Sequence, residues 1–299
     1  MALKTVAILS PGDMGHNVGQ ALGEADLKVI TCLQGRSTRT RALAQEAGIR
    51  DVSTLEEMVT QADIVMSILV PGEALKVGCL VAKALKTTGS TPYFAECNAI
   101  SPQTTREIGR VITEGGGRYI DCGIVGSPPG KSKPPRFYVS GAHSLVMLEI
   151  NGKGIDVRPL GDEIGRASGI KMCYASMTKG TSALYTAVLL TAQALGLSEE
   201  LKAEFASSQP QVLQHMEHDI PPLPSKAHRW IGEMEEIAAT YEHAGVTPHF
   251  HQGAAEIYRL ISRSPFGSER AETIDTERTL AHTIESLADM PTAKTSGGS

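Results

Sequence analysis

The proline-free stretch from Gly165 to Leu197 constrains the fold more than any other part of the sequence. It predicts one long helix, which would measure about 42 Å over residues 168–195 at 1.5 Å per residue. Residues 183–195 are apolar almost all round, so we expect this half of the helix to be buried on every side. The half before it is mixed, and Lys171 and Lys179 lie on one of its faces. A lysine on a buried helix has to be paired, to snorkel to water or to serve a function.

Length, charge and cysteine usage limit the classes of protein to which the chain can belong. Its 299 residues are enough for two domains, and its formal net charge of −5 gives no support for nucleic-acid binding. No apolar run reaches the roughly 18 residues of a membrane span, and a strand that starts at Lys4 leaves no room for a signal peptide. Five dispersed cysteines without metal-ligand spacing indicate free thiols in a reducing cytoplasm and predict no metal site.

The chain opens with a strand, a glycine turn, a helix and a second strand. Residues 5–9 and 29–33 are apolar runs, which are typical of strands buried on both faces. The turn after the first run reads Ser10-Pro11-Gly12-Asp13-Met14-Gly15. It lies where the pyrophosphate of a dinucleotide would meet the N-terminus of a helix, so we predict that it binds a cofactor. Ser10 replaces the first glycine of the G-x-G-x-x-G pattern, so an ordinary strand-to-helix turn is the alternative.

The segment after the second strand favours NADP over NAD. An enzyme that binds NAD usually has an acid there for the ribose hydroxyls, and this sequence has none. Arg36 and Ser37 stand there instead, helped by Arg39 or Arg41, and they could hold a 2′-phosphate by charge-assisted hydrogen bonds. We therefore predict NADP as the cofactor, with NAD as the second choice. A solvated, basic helix start is the structural alternative.

Strands and helices alternate up to about residue 160, which predicts a doubly wound α/β domain of the Rossmann type over residues 1–163. The remaining strands are expected at 64–69, 93–96, 118–122, 137–140 and 155–158, and the remaining helices at 55–61, 74–85 and 104–114. Ligands bind such domains at the carboxyl ends of the strands. We therefore expect the loops there to converge on one crevice, lined by Leu69, Val70, Pro71, Asn98, Gly126 and Ser127.

The chain gives no strand signal after this domain. It predicts an all-α domain over residues 164–290, which the long helix joins to the first domain. Further helices are expected at 199–206, 210–216, 229–244, 251–263 and 273–288. Residues 291–299 are small and polar, which predicts a disordered tail.

This order of parts resembles the β-hydroxyacid dehydrogenase superfamily, which contains 6-phosphogluconate, 3-hydroxyisobutyrate and tartronate-semialdehyde-type dehydrogenases, with imine reductases as relatives. The segments Ile170–Ala175 and Met177–Gly180 make the C-terminal half similar to a little-characterised branch described as phosphogluconate dehydrogenases. By this resemblance the family's cofactor and lysine motifs fall on Ser10, Gly12, Gly15, Arg36, Ser37, Leu69, Val70 and Pro71, and on Lys171 with Gly165 and Gly169 before it.

The sequence departs from the family pattern around the substrate. The acid-x-Ser-Thr loop reads Glu96-Cys97-Asn98-Ala99, so the hydroxyl pair is lost, although Asn98 can still donate and accept hydrogen bonds. Val125 stands where the family has serine, and Ala175 where it has an asparagine one turn after the lysine. The lysine and the cofactor motifs are therefore kept, while the recognition of the substrate is rebuilt.

The resemblance implies an NADP(H)-dependent oxidoreductase that moves a hydride between nicotinamide and a hydroxyl or carbonyl carbon of a small, polar, acidic metabolite. Lys171 would be the general acid–base, once burial lowers its pKa from about 10.4. The implied substrate contacts are Asn98, Gly126, Ser127 and Lys179, and Asn98 would also orient the nicotinamide. Because the family buries the long helix in a dimer, the resemblance also implies a homodimer.

Two other functions stay open at this point. One is an imine or iminium reductase on the same fold, although such relatives usually lack the lysine, so that Lys171 favours alcohol and carbonyl chemistry. The other is a non-catalytic module that binds NADPH or a partner. For Lys179 a solvated lysine is the alternative, and Tyr174, His249 and His251 are polar candidates that a structural role would also explain.

Overall fold

The computed structural model describes residues 2–131 and 133–290. One eight-stranded sheet forms within them, in the order β3-β2-β1-β4-β5-β6-β7-β8. The strands are Thr5–Ile8 (β1), Lys28–Cys32 (β2), Arg50–Val52 (β3), Ile64–Ser67 (β4), Tyr93–Glu96 (β5), Arg118–Val125 (β6), Arg136–Ser140 (β7) and Asp156–Pro159 (β8). Strands β1 to β6 are parallel, and β7 pairs antiparallel with β6 and parallel with β8. The predicted doubly wound α/β fold is confirmed.

Helices cover both faces of the sheet, which is why its strands are apolar runs rather than alternating ones. Val6 and Ile8 of β1 contribute to one core, and Ala7 contributes to the core on the opposite face, as the two-residue period of a strand requires. The helices of this part are Gly15–Glu24 (α1), Thr38–Glu46 (α2), Leu55–Gln61 (α3), Ala74–Thr88 (α4) and Pro102–Glu114 (α5), and short 3₁₀ helices span Pro71–Glu73 and Ser144–Ile150.

The element predictions were most accurate where apolar residues give a clear period. Helix α3 and strand β5 have the predicted bounds. Strand β6 was predicted to end at Cys122 but continues to Val125, because Val125 pairs with Arg136 in the antiparallel ladder to β7. Strand β3 was not predicted, since it is a short edge strand with two exposed polar residues.

The predicted long helix is present as α6, Arg166–Leu195, and its 30 residues correspond to about 45 Å. The chain divides into two units inside this helix, one ending at Tyr174 and the other beginning at Ala175. The boundary that we predict, between residues 163 and 164, lies ahead of the helix. No helix in the described part of the chain is long and apolar enough to cross a membrane.

The described residues of the second unit form helices and connecting turns, without a strand. Its further helices are Ser198–Ser208 (α7), Pro210–Asp219 (α8), Pro224–His243 (α9), His249–Ser262 (α10) and Leu280–Ala288 (α11). Helix α9 begins earlier than predicted, since a proline is favourable in the first turn of a helix. Helix α11 begins later than predicted, because the Thr279 side chain accepts a hydrogen bond from the His282 amide and caps it there. The tail predicted at 291–299 lies outside the described residues.

The C-terminal half of α6 was expected to be buried on every side, and the described residues of a single chain do not cover it. Leu184 is 61% exposed and Leu195 is 66% exposed. Helix α7 buries none of its residues, although it carries Leu201 and Phe205. Between the two helices lies an open, mainly apolar groove of about 380 Å³, lined by Ala187, Val188, Thr191, Ala192, Leu195, Leu197 and Leu201.

Candidate functional site

The turn after β1 has the geometry of a dinucleotide-binding loop despite its serine. A Cβ atom on Gly15 would lie 2.3 Å from the Ser10 carbonyl oxygen, so only glycine lets α1 start this close to the strand. A Cβ on Gly12 would meet nothing within 4 Å, which leaves that side of the turn open. No side chain caps the first turn of α1. The helix N-terminus and its open loop therefore fit the pyrophosphate of a nucleotide.

Basic side chains follow β2 and reach back towards this turn. Arg36 donates a hydrogen bond from Nη2 to the Leu9 carbonyl oxygen at 3.2 Å, which places its guanidinium beside the carboxyl end of β1. Arg39 forms an ion pair with Asp13 at 2.6 Å, so the predicted cofactor residue Asp13 offers a neutralised carboxylate. Ser37 caps α2, because its hydroxyl accepts a hydrogen bond from the Thr40 amide at 3.2 Å. Arg36 and Ser37 thus stand just after β2, and their contact with a cofactor phosphate stays a prediction.

The Asn98 side chain forms a hydrogen bond with the backbone of the loop after β4. The Leu69 amide donates to Asn98 Oδ1, and Asn98 Nδ2 donates to Ser67 Oγ at 3.0 Å and to Glu96 Oε1. Asn98 is buried, and these bonds use both hydrogens of its amide. Its predicted contact with the substrate stays a prediction, whereas its contact with the loop Leu69-Val70-Pro71 is direct.

Glu96 ends β5 and is only 1% exposed. Burial raises the pKa of its carboxyl to about 8, and the nearby Asp121 pushes it in the same direction. Hydrogen bonds from Asn98 and Ser67 favour the ionised form, but they are too weak to offset the burial. The second oxygen, Oε2, has no hydrogen-bond partner. In the sequence Glu96 stands out only as the acid of the family loop, which gives no sign of this raised pKa.

Asp121, in the middle of β6, anchors the start of α6. Its carboxylate accepts hydrogen bonds from backbone amides and hydroxyls of the helix start and from two neighbouring elements: Gly165 N, Ala167 N, Ser168 N, Ser168 Oγ, Ser140 Oγ and Thr105 Oγ1. A negative charge at a helix N-terminus is favourable, and here it satisfies amides that otherwise lack partners. Sequence reasoning missed Asp121, although a charged residue inside an apolar strand is a signal that it needs partners.

Lys171 lies on α6 directly over β6. A Cβ atom on Gly123 would come within 2.5 Å of the Ala167 carbonyl oxygen and 2.9 Å of Lys171 Cβ, so the glycine admits the helix at this point. Burial lowers the pKa of the Lys171 ammonium to about 8. No hydrogen bond or ion pair links its Nζ to another residue in the described part of the chain. The amine can therefore exchange a proton near neutral pH.

Two other predicted substrate residues stand at the carboxyl end of β6. Gly126 follows the strand directly with a φ of +120°, a conformation that side chains disfavour, and Ser127 comes next. Both are exposed. The first unit thus contains Lys171, Asn98, the two loop residues Gly126 and Ser127, and every predicted cofactor residue.

Lys179 belongs to the second unit and has partners of its own. Its ammonium forms an ion pair with Glu233 of α9 and lies 4.9 Å from the centroid of the Trp230 ring. Its backbone carbonyl accepts a hydrogen bond from the Tyr258 hydroxyl at 2.6 Å. The side chain is only 14% exposed. A substrate contact by Lys179 stays a prediction, and its charge is already balanced by Glu233.

A second polar cluster lies in the helical unit. Ser176 Oγ is 2.7 Å from the Tyr241 hydroxyl and 2.8 Å from His251 Nε2. Burial lowers the pKa of His251. The five cysteines are free, and in residues 2–131 and 133–290 no group of three or more His, Cys, Asp or Glu side chains is arranged to hold a metal ion.

Comparison with known sequences agrees with this geometry. Residues 5–148 match the domain family described as the NAD binding domain of 6-phosphogluconate dehydrogenase. Residues 192–261 match a domain of unknown function, DUF1932. A Methanothermus fervidus protein, described as an uncharacterized 28.5 kDa protein in the 7S RNA 5′ region, is 30% identical over 196 residues, which are 66% of this chain and 74% of that protein.

Solved structures share the fold over almost the whole chain. A conserved protein of unknown function, described as structurally similar to 3-hydroxyacid dehydrogenases, is 25% identical with a TM-score of 0.62 over 86% of this chain and 96% of that chain. The 3-hydroxyisobutyrate dehydrogenase of Mycobacterium tuberculosis, solved with L-serine, is 16% identical with a TM-score of 0.65 over 95% of this chain and 99% of that chain.

The glycine turn, the parallel sheet and the family match thus define a domain that binds a nicotinamide nucleotide. The chain belongs to the same family as the Methanothermus fervidus protein. It combines an NAD-binding domain of the 6-phosphogluconate dehydrogenase kind, over residues 5–148, with DUF1932 over residues 192–261.

Proposed function

We propose that this protein is an NADP(H)-dependent oxidoreductase acting on a hydroxyl or carbonyl carbon, with Lys171 as the general acid–base. The observation that carries the proposal is the Lys171 amine, which has no partner in the described residues and whose pKa burial lowers to about 8. An acid–base group works best when its pKa lies near the working pH, because both of its forms are then populated. An ordinary lysine stays charged at that pH and cannot serve as a base.

The proposed chemistry assigns separate tasks to the residues of the first unit. When bound, the nicotinamide cofactor supplies or accepts the hydride. Lys171 takes the proton of the substrate hydroxyl during oxidation and returns it to the carbonyl oxygen during reduction. Asp121 fixes the first turn of α6 through the Gly165, Ala167 and Ser168 amides, and so keeps Lys171 in position over β6.

The proposed substrate is a small, polar and acidic metabolite. Below pH 8 the Lys171 ammonium favours a nearby anionic group, and the exposed residues Gly126 and Ser127 offer backbone and hydroxyl donors. Asn98 supports the loop from Leu69 to Pro71, since its side-chain hydrogens are already bonded to Ser67 and Glu96. Turnover of amine–ketone pairs together with inactivity on hydroxy and oxo acids would instead favour an imine reductase.

The cofactor preference tests this proposal, because Arg36 and Ser37 follow β2 where an NAD enzyme has an acid. We expect NADPH to bind roughly 10–100 times more tightly than NADH, as one charge-assisted contact network would give. Arg36→Ala should remove most of that difference. The matched control is Arg50→Ala. Arg50 lies on the edge strand β3, and its guanidinium donates a hydrogen bond to Gln61 at the end of α3. Equal dissociation constants for NADPH and NADH in the wild type would contradict the proposal.

We also propose a homodimer that covers the groove between α6 and α7. Leu184, Leu195 and Leu197 are each about half or more exposed on a surface of mainly apolar residues, and such surfaces are typical of protein interfaces. Light scattering at micromolar concentration should give twice the mass of the chain. Leu195→Glu should give the monomer mass, whereas Leu145→Glu, at an exposed leucine of the first unit, should leave the dimer intact. A monomeric wild type would exclude this assembly.

A further inference from the structure

Glu96 is a buried acid that the proposed reaction does not use. It stands at the carboxyl end of β5, where the sheet register places it beside Ser67 of β4 on one side and Asp121 of β6 on the other. This is the edge of the sheet at which nucleotides bind in doubly wound domains. The position therefore connects Glu96 with the cofactor loops rather than with the distant end of the sheet.

A continuous set of hydrogen bonds leads from Glu96 to the loop after β4. Glu96 Oε1 accepts bonds from the Asn98 amide nitrogen, at 3.0 Å, and from Asn98 Nδ2. Asn98 Oδ1 in turn accepts the Leu69 amide, which begins the loop Leu69-Val70-Pro71. Any movement of the Glu96 carboxyl therefore changes the support under this loop.

The surroundings of Glu96 disfavour a negative charge. The titratable groups that interact with it are Asp121 and Tyr119 on β6 and its neighbour Cys97, and β4 contributes the Ser67 hydroxyl. None of these groups is a cation. Glu96 Oε1 has the Asn98 donors, but Oε2 has none, so the second oxygen of an ionised carboxylate would be neither hydrated nor hydrogen-bonded. Burial accordingly raises the Glu96 pKa to about 8.

We propose that Glu96 is a positioning residue: as a neutral carboxylic acid it holds Asn98, and through Asn98 the Leu69–Pro71 loop, in the shape that receives the cofactor. This inference rests on the proposed function, because it gives the loop a nicotinamide nucleotide to bind. Loss of the Glu96 proton leaves a charge that water has to hydrate. Water can reach Oε2 only if the structure around Asn98 opens, and the loop then loses its support.

Two measurements between pH 7 and 9.5 test the inference. The first is the hydrogen-exchange protection factor of the Leu69 amide in the protein without cofactor, and the second is the dissociation constant for NADPH. In the wild type the protection factor should fall and the dissociation constant should rise above pH 8, each approaching tenfold per pH unit. The reason is that only molecules with a protonated Glu96 hold the loop in its binding shape. In Glu96→Gln both should stay flat, because the amide keeps the acceptor at Oε1 and cannot ionise. Glu96→Ala should lack the protection at every pH.

The control is Glu73→Gln, which removes an exposed carboxyl paired with Lys76 just beyond the same loop. It should titrate like the wild type. A flat wild-type curve for the Leu69 amide, or a Glu96→Gln curve parallel to the wild type, overturns the inference. The pH dependence of Leu69 protection in the wild type tests the inference even if a variant does not fold. A wild type that protects Leu69 as expected but binds neither NADPH nor NADH at pH 7 would instead refute the proposed function.

Discussion

Lys171 and Lys179 stand on the same helix, and their environments are opposite. Lys179 is ion-paired with Glu233 and stacked near Trp230, so its charge is balanced inside the helical unit. Lys171 lies over β6 without a partner in the described residues, and burial lowers its pKa to about 8. The difference shows that a buried lysine becomes an acid–base candidate when the fold withholds an acid from it, and a structural residue when the fold supplies one.

The difference cannot be read from the helix alone. Both lysines follow the same helical spacing, and the acid that distinguishes them comes from α9, 54 residues beyond Lys179 in the chain. Substitutions of the two lysines and one pH profile would break or sharpen this contrast.

The largest effect is expected for Lys171→Ala. Turnover should fall about 10²- to 10⁴-fold, as for the loss of a general acid–base, while the dissociation constant for NADPH stays nearly unchanged. Steady-state kinetics and cofactor titration on the same preparation would measure both. Lys171→Arg should not restore activity, because a guanidinium stays charged and cannot exchange the proton. A folded Lys171→Ala protein with wild-type turnover would remove Lys171 from the mechanism.

The second contrast is in stability. Lys179→Met should lower the free energy of unfolding by about 3 kcal/mol, because it leaves the Glu233 carboxylate buried without its partner. Lys171→Met should not lower the free energy of unfolding at pH 7, because the buried Lys171 ammonium has no acidic partner in the described residues whose charge the substitution would leave unpaired. Urea unfolding of both variants would measure the difference. The double variant Lys179→Met with Glu233→Gln should recover much of the loss, and equal losses for the two lysine variants would contradict the contrast.

The smallest effect is a change in the pH profile. In the proposed mechanism oxidation needs the neutral form of Lys171, so the kcat/KM for oxidation should rise about tenfold per pH unit below pH 8 and level off above it. Reduction needs the charged form and should decline above pH 8. Because Glu96 has a similar pKa, the profile has to be compared in two variants. The rise of kcat/KM for oxidation below pH 8 should disappear in Lys171→Ala and remain in Glu96→Gln. The reverse result would assign this pH dependence to Glu96.

Much of the fold follows from the sequence because it depends on local patterns. The apolar run of β1, the helix α3 between its caps and the proline-free length of α6 each carry their own signal. The start of α11 was predicted too early, at residue 273. The helix begins only at Leu280, because Thr279, which was counted as a helical residue, is its N-cap. The burial predicted for Leu195 is not found within one chain, because no described residues of that chain cover this side of α6.

The site was predictable only in part, for a related reason. The glycine turn and Arg36 are local signals and could be found. The partners of Asn98 could not, since Ser67, Leu69 and Glu96 meet it only when β4 and β5 pair in register. The role of Asp121 likewise depends on the close approach of α6 to β6, which Gly123 permits.

The anchoring of α6 by Asp121 also affects how the protein opens. Helix ends usually fray, because their first amides bond only to water. Here the Ala167 and Ser168 amides bond to a carboxylate of the central sheet, which Thr105 of α5 and Ser140 of β7 also contact. The first turn of α6 can therefore come loose only when those elements separate. The backbone that leads to Lys171 thus derives its local resistance to unfolding from the sheet rather than from its own helix.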